Sequence, residues 1–419
     1  MPEALALLKT ELELMASAPP SADEMRRAIT NLESEEFYAM ETIEGVARKA
    51  GSFENLMGDY GYFQKFLKQI YALKPEDIMK AARKYLSPKQ MTFVAMVPRN
   101  EKETEKAIKD WTKAYEKDFA KASKAKPKPV RLTGVKKTTW SMGGVSSKPG
   151  EIRKHVLPSG ATLLFRPDHA TPVISAKAAF LGGIRVENDR QGGVTELLSR
   201  VWTTGTATLT EAEISDKIEN MAGGLSAFGG RNSIGLSMQT ISPFETEAIE
   251  LFNDVLVGPK MADNAIEREK GVMLEAIRAR EDSPGQLVSQ LFTQEMFKGH
   301  PYAKDMYGTA ESVKGLTKTN VETLLKSEAM SRNLMVAVTG SIDADAWVEK
   351  LTAATFALPE GRSLTTTFKH EGPKKNELLY KELKREQTHI IIGYKGLTLD
   401  DPRRYTLQVM QSILAGQGG

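Results

Sequence analysis

The sequence predicts an α+β protein that repeats one two-layer domain, in which an antiparallel sheet packs against helices. Two observations predict this class. Short apolar runs that end at glycine pairs are followed by long segments with helical periodicity, an order typical of α+β folds. In addition, residues 73–98 match residues 316–341 without a gap, at an offset of 243 residues. Both copies read as a helix that leads into a buried strand, so the chain contains a duplicated unit.

The composition is that of an ordinary globular protein, and it excludes several functions. The 419 residues include 41% hydrophobic and 26% charged residues, and the net charge of +3 is too small to indicate a nucleic-acid partner. No apolar run approaches the roughly 18–20 residues of a membrane span. The chain has no cysteine, and none of its five histidines lies three to five residues from another, which excludes disulfides and a local two-histidine metal motif. The compartment stays open between periplasm and cytoplasm.

The first part of the chain is predicted to consist of helices that end in one strand. A helix begins near Ser21, where Ser21 and Glu24 are spaced as a capping box, and it is expected to run to Gly51. Two more helices precede an apolar strand at 91–97. A single strand has no partner to pair with. We therefore expect residues 1–98 to be the C-terminal part of an α+β domain whose first strands are missing.

The remaining sequence divides into a linker, one complete domain and the beginning of another. Residues 99–150 combine a lysine-rich, largely solvated helix with a linker rich in Pro, Gly and Ser. Residues 151–370 contain a hairpin, a strand that ends at Gly182 and Gly183, two further short strands, several helices and a closing strand. Residues 371–419 are expected to open another set of strands and to end in a helix.

Two helix starts inside the complete domain carry capping signals. Thr210 and Glu213 have the spacing of a capping box, and Ser242 and Glu245 have the same spacing. Both pairs precede segments with helical periodicity, so each is expected to begin a helix.

The most informative segment is GVTELLSRVWTTGT at residues 193–206. It resembles the helix G-x-x-H-x-x-E-H-x-x-x-x-G-T of the pitrilysin/insulinase-type zinc peptidases. In that family the two histidines bind zinc and the glutamate between them activates a water molecule. Here Glu196 and Arg200 stand at the histidine positions and Ser199 stands at the glutamate position.

The resemblance covers nearly the whole chain outside 99–150. It also rests on VLPSGATLLF, ISAKAAFLGG, EREKGVMLEAIRAREDSP and GHPYAKDMYGTAESVKGLTKTNVETLL in that order. Family members of the long kind, whose fold is shared with the mitochondrial processing peptidases, carry four similar domains that close on an unfolded peptide. The resemblance implies that 1–98 is the end of domain two, 99–150 the hinge, 151–370 the degenerate domain three, and 371–419 the start of domain four. The zinc domain is then expected upstream of residue 1.

The replaced residues exclude zinc chemistry at this helix. Catalytic zinc needs three protein ligands and an open position for water. Arg200 has no lone pair to offer and is a fixed cation, and Ser199 has no basicity to take a proton from water. By the resemblance the third ligand position falls on Ala276, with Glu275 one residue away. We expect no metal and no catalytic residue in this chain, and zinc in the intact protein.

Two features have both a functional and a structural interpretation. Glu196 and Arg200 are four residues apart with the acid first, the favourable order for a helical ion pair. They form either such a pair alone or a surface on which Arg200 contacts a substrate. Gly182 and Gly183 either let a bound peptide approach the strand edge, as in β-augmentation, or simply turn the chain.

Two function hypotheses follow. The first is the non-catalytic portion of a zinc-dependent endopeptidase, which helps enclose an unfolded peptide together with the remaining domains of the same protein. The intact protein is then a zinc metalloendopeptidase and this chain alone is inactive. The alternative is an inactive peptidase homologue that acts as a partner or scaffold beside an active peptidase subunit. Neither hypothesis involves nucleic acid or a membrane span.

Overall fold

The computed structural model describes residues 2–94, 102–138, 150–364, 367–383 and 386–415. Within these ranges no helix has the length and apolarity needed to cross a bilayer.

One six-stranded sheet organises the central domain. Its strands are β1 (Arg153–Val156), β2 (Thr162–Pro167), β3 (Val173–Leu181), β4 (Gly224–Gly229), β5 (Ser233–Ile241) and β6 (Leu334–Gly340). The order across the sheet is β1-β2-β6-β3-β5-β4. Only β2 and β6 run parallel, and all other neighbours are antiparallel. The predicted class, a mainly antiparallel sheet with many helices, is confirmed.

The described residues form fifteen α-helices. Six precede the sheet: α1 (Pro2–Ser17), α2 (Ala22–Ala39), α3 (Ile43–Met57), α4 (Tyr62–Ala72), α5 (Pro75–Tyr85) and α6 (Lys102–Ala122). The next five are α7 (Val194–Val201), α8 (Glu211–Asn220), α9 (Glu245–Val257), α10 (Asp263–Glu281) and α11 (Pro284–Met296). The last four are α12 (Ala310–Gly315), α13 (Lys318–Glu328), α14 (Ala344–Thr355) and α15 (Arg404–Ala415).

The sheet buries one face against the helices and leaves the other open. Along β6, Val336 and Val338 are buried, whereas the alternate residues Met335, Ala337 and Thr339 are exposed. This alternation is expected of a strand with one packed face, because successive side chains point to opposite sides.

Two of the three predicted capping pairs are confirmed. The Ser21 hydroxyl accepts from the Glu24 amide and the Glu24 carboxylate accepts from the Ser21 amide at 2.7 Å. Thr210 and Glu213 form the same reciprocal pair at the start of α8.

The third pair, Ser242 with Glu245, is wrong. Ser242 begins a short 3₁₀ turn, and α9 starts at Glu245 without a side-chain cap. The Glu245 carboxylate instead accepts from the Asp343 amide at 2.8 Å and from Trp347 Nε1 at 3.0 Å. The Glu245 carboxylate, which the local pattern predicts in a capping box, therefore makes tertiary contacts instead.

The predicted single helix from Ser21 to Gly51 is also wrong. It breaks after Ala39, and the Thr42 hydroxyl accepts from the Gly45 amide to start α3. That helix continues through Gly51 as far as Met57. Thr42 supplies the side-chain oxygen that a new helix start needs, whereas a glycine inside a helix only weakens it.

Helix α6 is less solvated than its lysine content predicts. Trp111, Tyr115 and Phe119 are buried on one face, where they form a cluster with Leu5 of α1. The Trp111 indole donates to the carbonyl of Leu5. The aromatic residues recur every four positions, so the helix is amphipathic and packs along α1.

The duplicated segment has the same local structure in both copies. Helices α5 and α13 each contain 11 residues and begin 243 residues apart. Each is followed by a three-residue 3₁₀ helix, at Pro88–Gln90 and at Ser331–Asn333. The copies diverge at the strand, because β6 lies between two partners whereas 91–94 is not in a strand. The rest of that predicted strand, 95–97, lies outside the described residues.

The strands predicted after residue 371 are wrong as well. Residues 377–383 and 386–403 contain no strand, and Leu378, Tyr380 and Tyr394 are 88 to 89% exposed. Their short apolar runs, Leu378-Leu379-Tyr380 and Ile390-Ile391-Ile392, are typical of a strand. However, an isolated pair of strands is marginal in water without a further sheet or helix to pack on.

Candidate functional site

Helix α7, which carries Glu196, Ser199 and Arg200, lies directly on the sheet. Its residues Val194, Leu197, Leu198 and Val201 are buried in the main core. The helix starts at Gly193, whose φ of 90° and close approach to the Tyr307 carbonyl leave no room for a Cβ. The helix is thus fixed in position by apolar burial on one side and by a close backbone contact at its start.

A buried carboxylate caps the start of this helix. Glu187 accepts from the Thr195 amide at 2.8 Å and from the Gly193 amide at 3.3 Å. Burial raises the pKa of Glu187, and the hydrogen bonds from Thr195 and Gly193 oppose that rise. A negative side chain at a helix N-terminus satisfies free amides and complements the helix dipole.

Glu196 and Arg200, which the resemblance predicts at the histidine positions, are paired with each other. Arg200 Nε lies 2.7 Å from Glu196 Oε1. Arg200 Nη1 also lies 3.6 Å from Oε2 of Glu269 on α10, and the guanidinium carbon lies 5.8 Å from the centre of the Tyr307 ring. The cation is therefore held between carboxylates from two helices, and all three charged side chains are at least three-quarters buried.

Glu269 extends this pair into a network that the sequence analysis did not find. Its other oxygen, Oε1, pairs with Arg268 Nε at 3.0 Å, and Arg268 binds Glu211 at 2.7 Å. Glu269 lies seven residues before Ala276, which places both near the same face of α10 after two turns. That spacing is the only sequence signal that distinguishes Glu269 from the other acids of this helix.

The remaining family positions carry no metal or base chemistry. The Ser199 hydroxyl donates to the Glu196 carbonyl at 2.8 Å. Ala276 is half-buried and has no donor atom, while Glu275 is exposed and pairs with Arg278 at 2.5 Å. In the described part of the chain no group of three His, Asp or Glu side chains is arranged to hold a metal ion. The residues at this helix do not fit zinc.

Gly182 and Gly183 are buried, and they contact the buried carboxylate of Glu328 instead of lying at an open strand edge. β3, which they follow, pairs with β6 on one side and β5 on the other. The Gly183 amide donates to Glu328 Oε2 at 3.0 Å, and a Cβ on Gly182 would lie 1.8 Å from the same oxygen. Contact of these glycines with a substrate stays a prediction.

Among the acids of this region, Glu328 has the pKa that is shifted most. Burial raises its pKa to about 8 and the nearby Glu187 adds to the rise, while the Gly183 amide and Arg185 lower it. Its Oε1 is buried and has no hydrogen-bond partner among the described residues. The sequence does not predict the burial of Glu328, because a glutamate near the end of an amphipathic helix is expected to be exposed to solvent.

Comparison with known protein families identifies the family of this chain. Residues 165–310 match the family model described as insulinase (peptidase family M16), and residues 327–419 match the model of the peptidase M16 inactive domain. The chain belongs to the M16 peptidase family. The first match contains α7 and α10, so it includes Glu196, Ser199, Arg200 and Ala276.

Three curated relatives illustrate the range of the M16 family. The chain is 27% identical to an uncharacterized zinc protease of Streptomyces coelicolor, over 64% of this chain and 60% of the relative. It is 25% identical to the non-peptidase homologue YmxG of Helicobacter pylori, over 61% and 60%. It is 22% identical to a probable mitochondrial-processing peptidase subunit beta of Arabidopsis thaliana, over 63% and 50%. The chain thus spans half to three-fifths of these relatives.

Solved structures show the same fold. A peptidase M16 inactive domain from Pseudomonas fluorescens superposes with a TM-score of 0.51 at 21% identity, over 54% of this chain and 55% of that one.

Proposed function

We propose that this chain is a non-catalytic portion of an M16 zinc endopeptidase, which helps enclose an unfolded peptide while another domain or subunit supplies the zinc. The observation that carries the proposal is the position of Arg200. Its guanidinium is held by Glu196 and Glu269 on the helix that resembles the zinc-binding helix of the family. A fixed cation there excludes a zinc ion by charge repulsion, and it activates no water.

A peptide could be held at the free edge of the sheet beside this helix. β4 pairs with β5, and no other described strand pairs with its outer edge. The Gly230 amide bonds the Ser233 carbonyl at the hairpin turn, so alternation along the antiparallel ladder turns the amides of Leu225, Ala227 and Gly229 outward. Such an edge accepts an extended peptide through main-chain hydrogen bonds.

This edge lies close to the degenerate site. A Cβ placed on Gly229 would lie 2.7 Å from the carbonyl oxygen of Thr195, so the end of β4 touches the first turn of α7. A peptide added to β4 would therefore run past the helix that carries Glu196 and Arg200. In this arrangement the helix serves as a wall of the binding site.

Two measurements test the proposal. Metal analysis of the purified chain should give far less than one zinc per chain, and an unfolded casein peptide should bind without being cleaved. The variant Ala227→Pro removes an outward amide and should weaken binding about tenfold, whereas the control Ala227→Val adds bulk and keeps the amide. Chelator-sensitive cleavage by the purified chain, or equal binding by both variants, would contradict the proposal.

A second candidate is an inactive subunit that accompanies an active peptidase. It is favoured by the same Arg200 arrangement together with the relative from Helicobacter pylori, which is named a non-peptidase homologue. The coding sequence distinguishes the two candidates. An H-x-x-E-H helix encoded in the same polypeptide supports the first, and one encoded only in a separate polypeptide supports the second.

A further inference from the structure

We propose that the open face of the sheet is a docking surface for an acidic peptide in extended conformation, which names the substrate class of the proposed function and rests on it. We call this surface the basic face, and its cations are Lys154, Arg166 and Lys177. All three side chains are exposed on the side of the sheet away from the helices.

The sheet contains no acidic residue. None of the six described strands includes Asp or Glu, although these residues make up 54 of the 419 in the chain. The Lys and Arg residues of the strands are Arg153, Lys154, Arg166 and Lys177. Because the whole chain is nearly balanced at +3, the strands form a local concentration of positive charge. One acid from another element borders the face at β5, where Glu41 accepts from Gln239 Nε2 at 3.2 Å. Such a surface attracts anionic partners.

The strand register places the cations at defined positions on the basic face. Lys154 pairs with Leu164, Leu164 with Ala337, and Ala337 with Lys177, so one row crosses from β1 to β3. At about 4.8 Å between strands, the backbone positions of the two lysines are roughly 14 Å apart. Arg166 lies two residues along β2 from Leu164, on the same face.

The surface between the cations is shallow. Several of its exposed or half-buried residues are small, namely Ser175, Ala179, Ser237, Ala337 and Thr339, and the larger apolar residues between the cations are Leu164 and Met335. A peptide backbone can therefore lie close to the sheet. In an extended peptide, side chains four residues apart are about 13 Å apart and point the same way, which matches the spacing of Lys154 and Lys177.

The cations are available to a partner. Within the described part of the chain, none of the three forms an ion pair with another side chain. Lys177 Nζ lies 4.5 Å from the centre of the Phe228 ring on β4. This contact holds the ammonium group over the open face on the β4 side of β3, where a carboxylate of a bound peptide would meet it.

Fluorescence anisotropy with three labelled, unfolded 12-residue peptides tests the inference. The peptides carry Glu, Gln or Lys at two positions four residues apart and are otherwise identical. The Glu peptide should bind about tenfold more tightly than the Lys peptide at low salt, and the difference should fall below about threefold at 0.5 M salt. Lys177→Gln should weaken the preference and Lys177→Glu should weaken it further, because Lys154 and Arg166 remain on the face, with folding verified by circular dichroism.

The control is Lys350→Glu on α14, which makes the same charge change at an exposed position in the helical layer. Equal binding of all three peptides would overturn the acidic preference and leave the proposed function in place. Binding of none of them would count against the proposed function itself. An equal effect of Lys350→Glu and Lys177→Glu would show that net charge alone is responsible, and the basic face would then have no role.

Discussion

Arg200 on α7 and Glu269 on α10 face each other with Nη1 and Oε2 3.6 Å apart, and this contact ties together the two helices whose family positions would carry zinc ligands. The guanidinium also binds Glu196, so one organic cation is shared by two carboxylates. A cation-mediated contact between the helices is thus present without metal. We interpret Arg200 first as a structural residue, and in the proposed function it also lines the peptide site.

Removing Arg200 should destabilise the domain. In Arg200→Ala, Glu196 and Glu269 lose their shared cation while they remain mostly buried. We expect the free energy of unfolding to fall by about 1–3 kcal/mol, which is more than an exposed pair contributes. Urea denaturation monitored by circular dichroism measures it.

A double-mutant cycle with Glu269→Gln separates the pair from the loss of packing. The coupling energy should be about 0.5–1.5 kcal/mol, since the residues share one network. The matched control pair is Glu275 with Arg278, which is exposed on the same helix and should couple by only a few tenths of a kcal/mol. Additive effects of the two substitutions would contradict the role of this contact.

The stability of the chain should depend on pH through Glu328. Burial raises its pKa to about 8 from an ordinary value of 4.5. Between these values the folded protein keeps a proton that the unfolded chain releases. The contribution of Glu328 is therefore fully present below pH 4.5 and is lost as the pH rises towards 8, on the order of 3–5 kcal/mol in total.

Glu328→Gln isolates this contribution because the amide cannot ionise. Between pH 5.5 and pH 8, the wild-type chain should lose several kcal/mol more of its unfolding free energy than the variant loses. Glu322→Gln makes the same change on the same helix, at a half-buried position, and should leave the wild-type pH dependence intact. Parallel curves for wild type and Glu328→Gln would show that Glu328 is not neutral in the folded chain.

The sequence predicts local features of this fold well where a short pattern decides them. The reciprocal capping at Ser21 and Thr210 needs only residues three apart, and both pairs form. The ungapped repeat likewise gives α5 and α13 identical lengths, because each helix start and stop is encoded within the segment.

Features that depend on distant partners could not be predicted in this way. The short apolar runs around Leu378 and Tyr394 have strand character, yet they form no strand without neighbours. The Glu245 carboxylate accepts a hydrogen bond from Trp347 instead of capping its helix. The packing of α10 against α7 places Glu269 beside Arg200. In each case the deciding contact joins residues far apart in the chain.

Limited proteolysis should begin in the C-terminal segment. Tyr380 and Tyr394 are 89% and 88% exposed and lie outside helices and strands. Chymotrypsin should cleave after them before it cuts within the central domain, where aromatic residues such as Phe180 and Trp202 are fully buried. Mass spectrometry of the early fragments identifies the sites. Early cleavage after Phe180 or Trp202, with Tyr380 intact, would contradict this order.

Installing the family's metal residues should at most create a zinc site without peptidase activity. The variant with Glu196→His, Ser199→Glu, Arg200→His and Ala276→Glu places two imidazoles, a base and a carboxylate at the family positions. Zinc ligands also need oriented partners, whose loss typically weakens metal affinity or activity 10–100-fold. Beside this helix Glu269 instead pairs with the guanidinium groups of Arg200 and Arg268.

Metal analysis and cleavage of a fluorogenic unfolded peptide, each with and without chelator, measure the two properties separately. We expect up to one zinc per chain and no chelator-sensitive turnover, because hydrolysis also needs the peptide positioned at the metal. The matched control carries Glu196→His, Ser199→Gln, Arg200→His and Ala276→Glu, which retains the ligands and lacks the base. Turnover in the first variant that is absent from the control would mean that this domain alone positions a peptide for catalysis, and its assignment as a non-catalytic wall would then have to be abandoned.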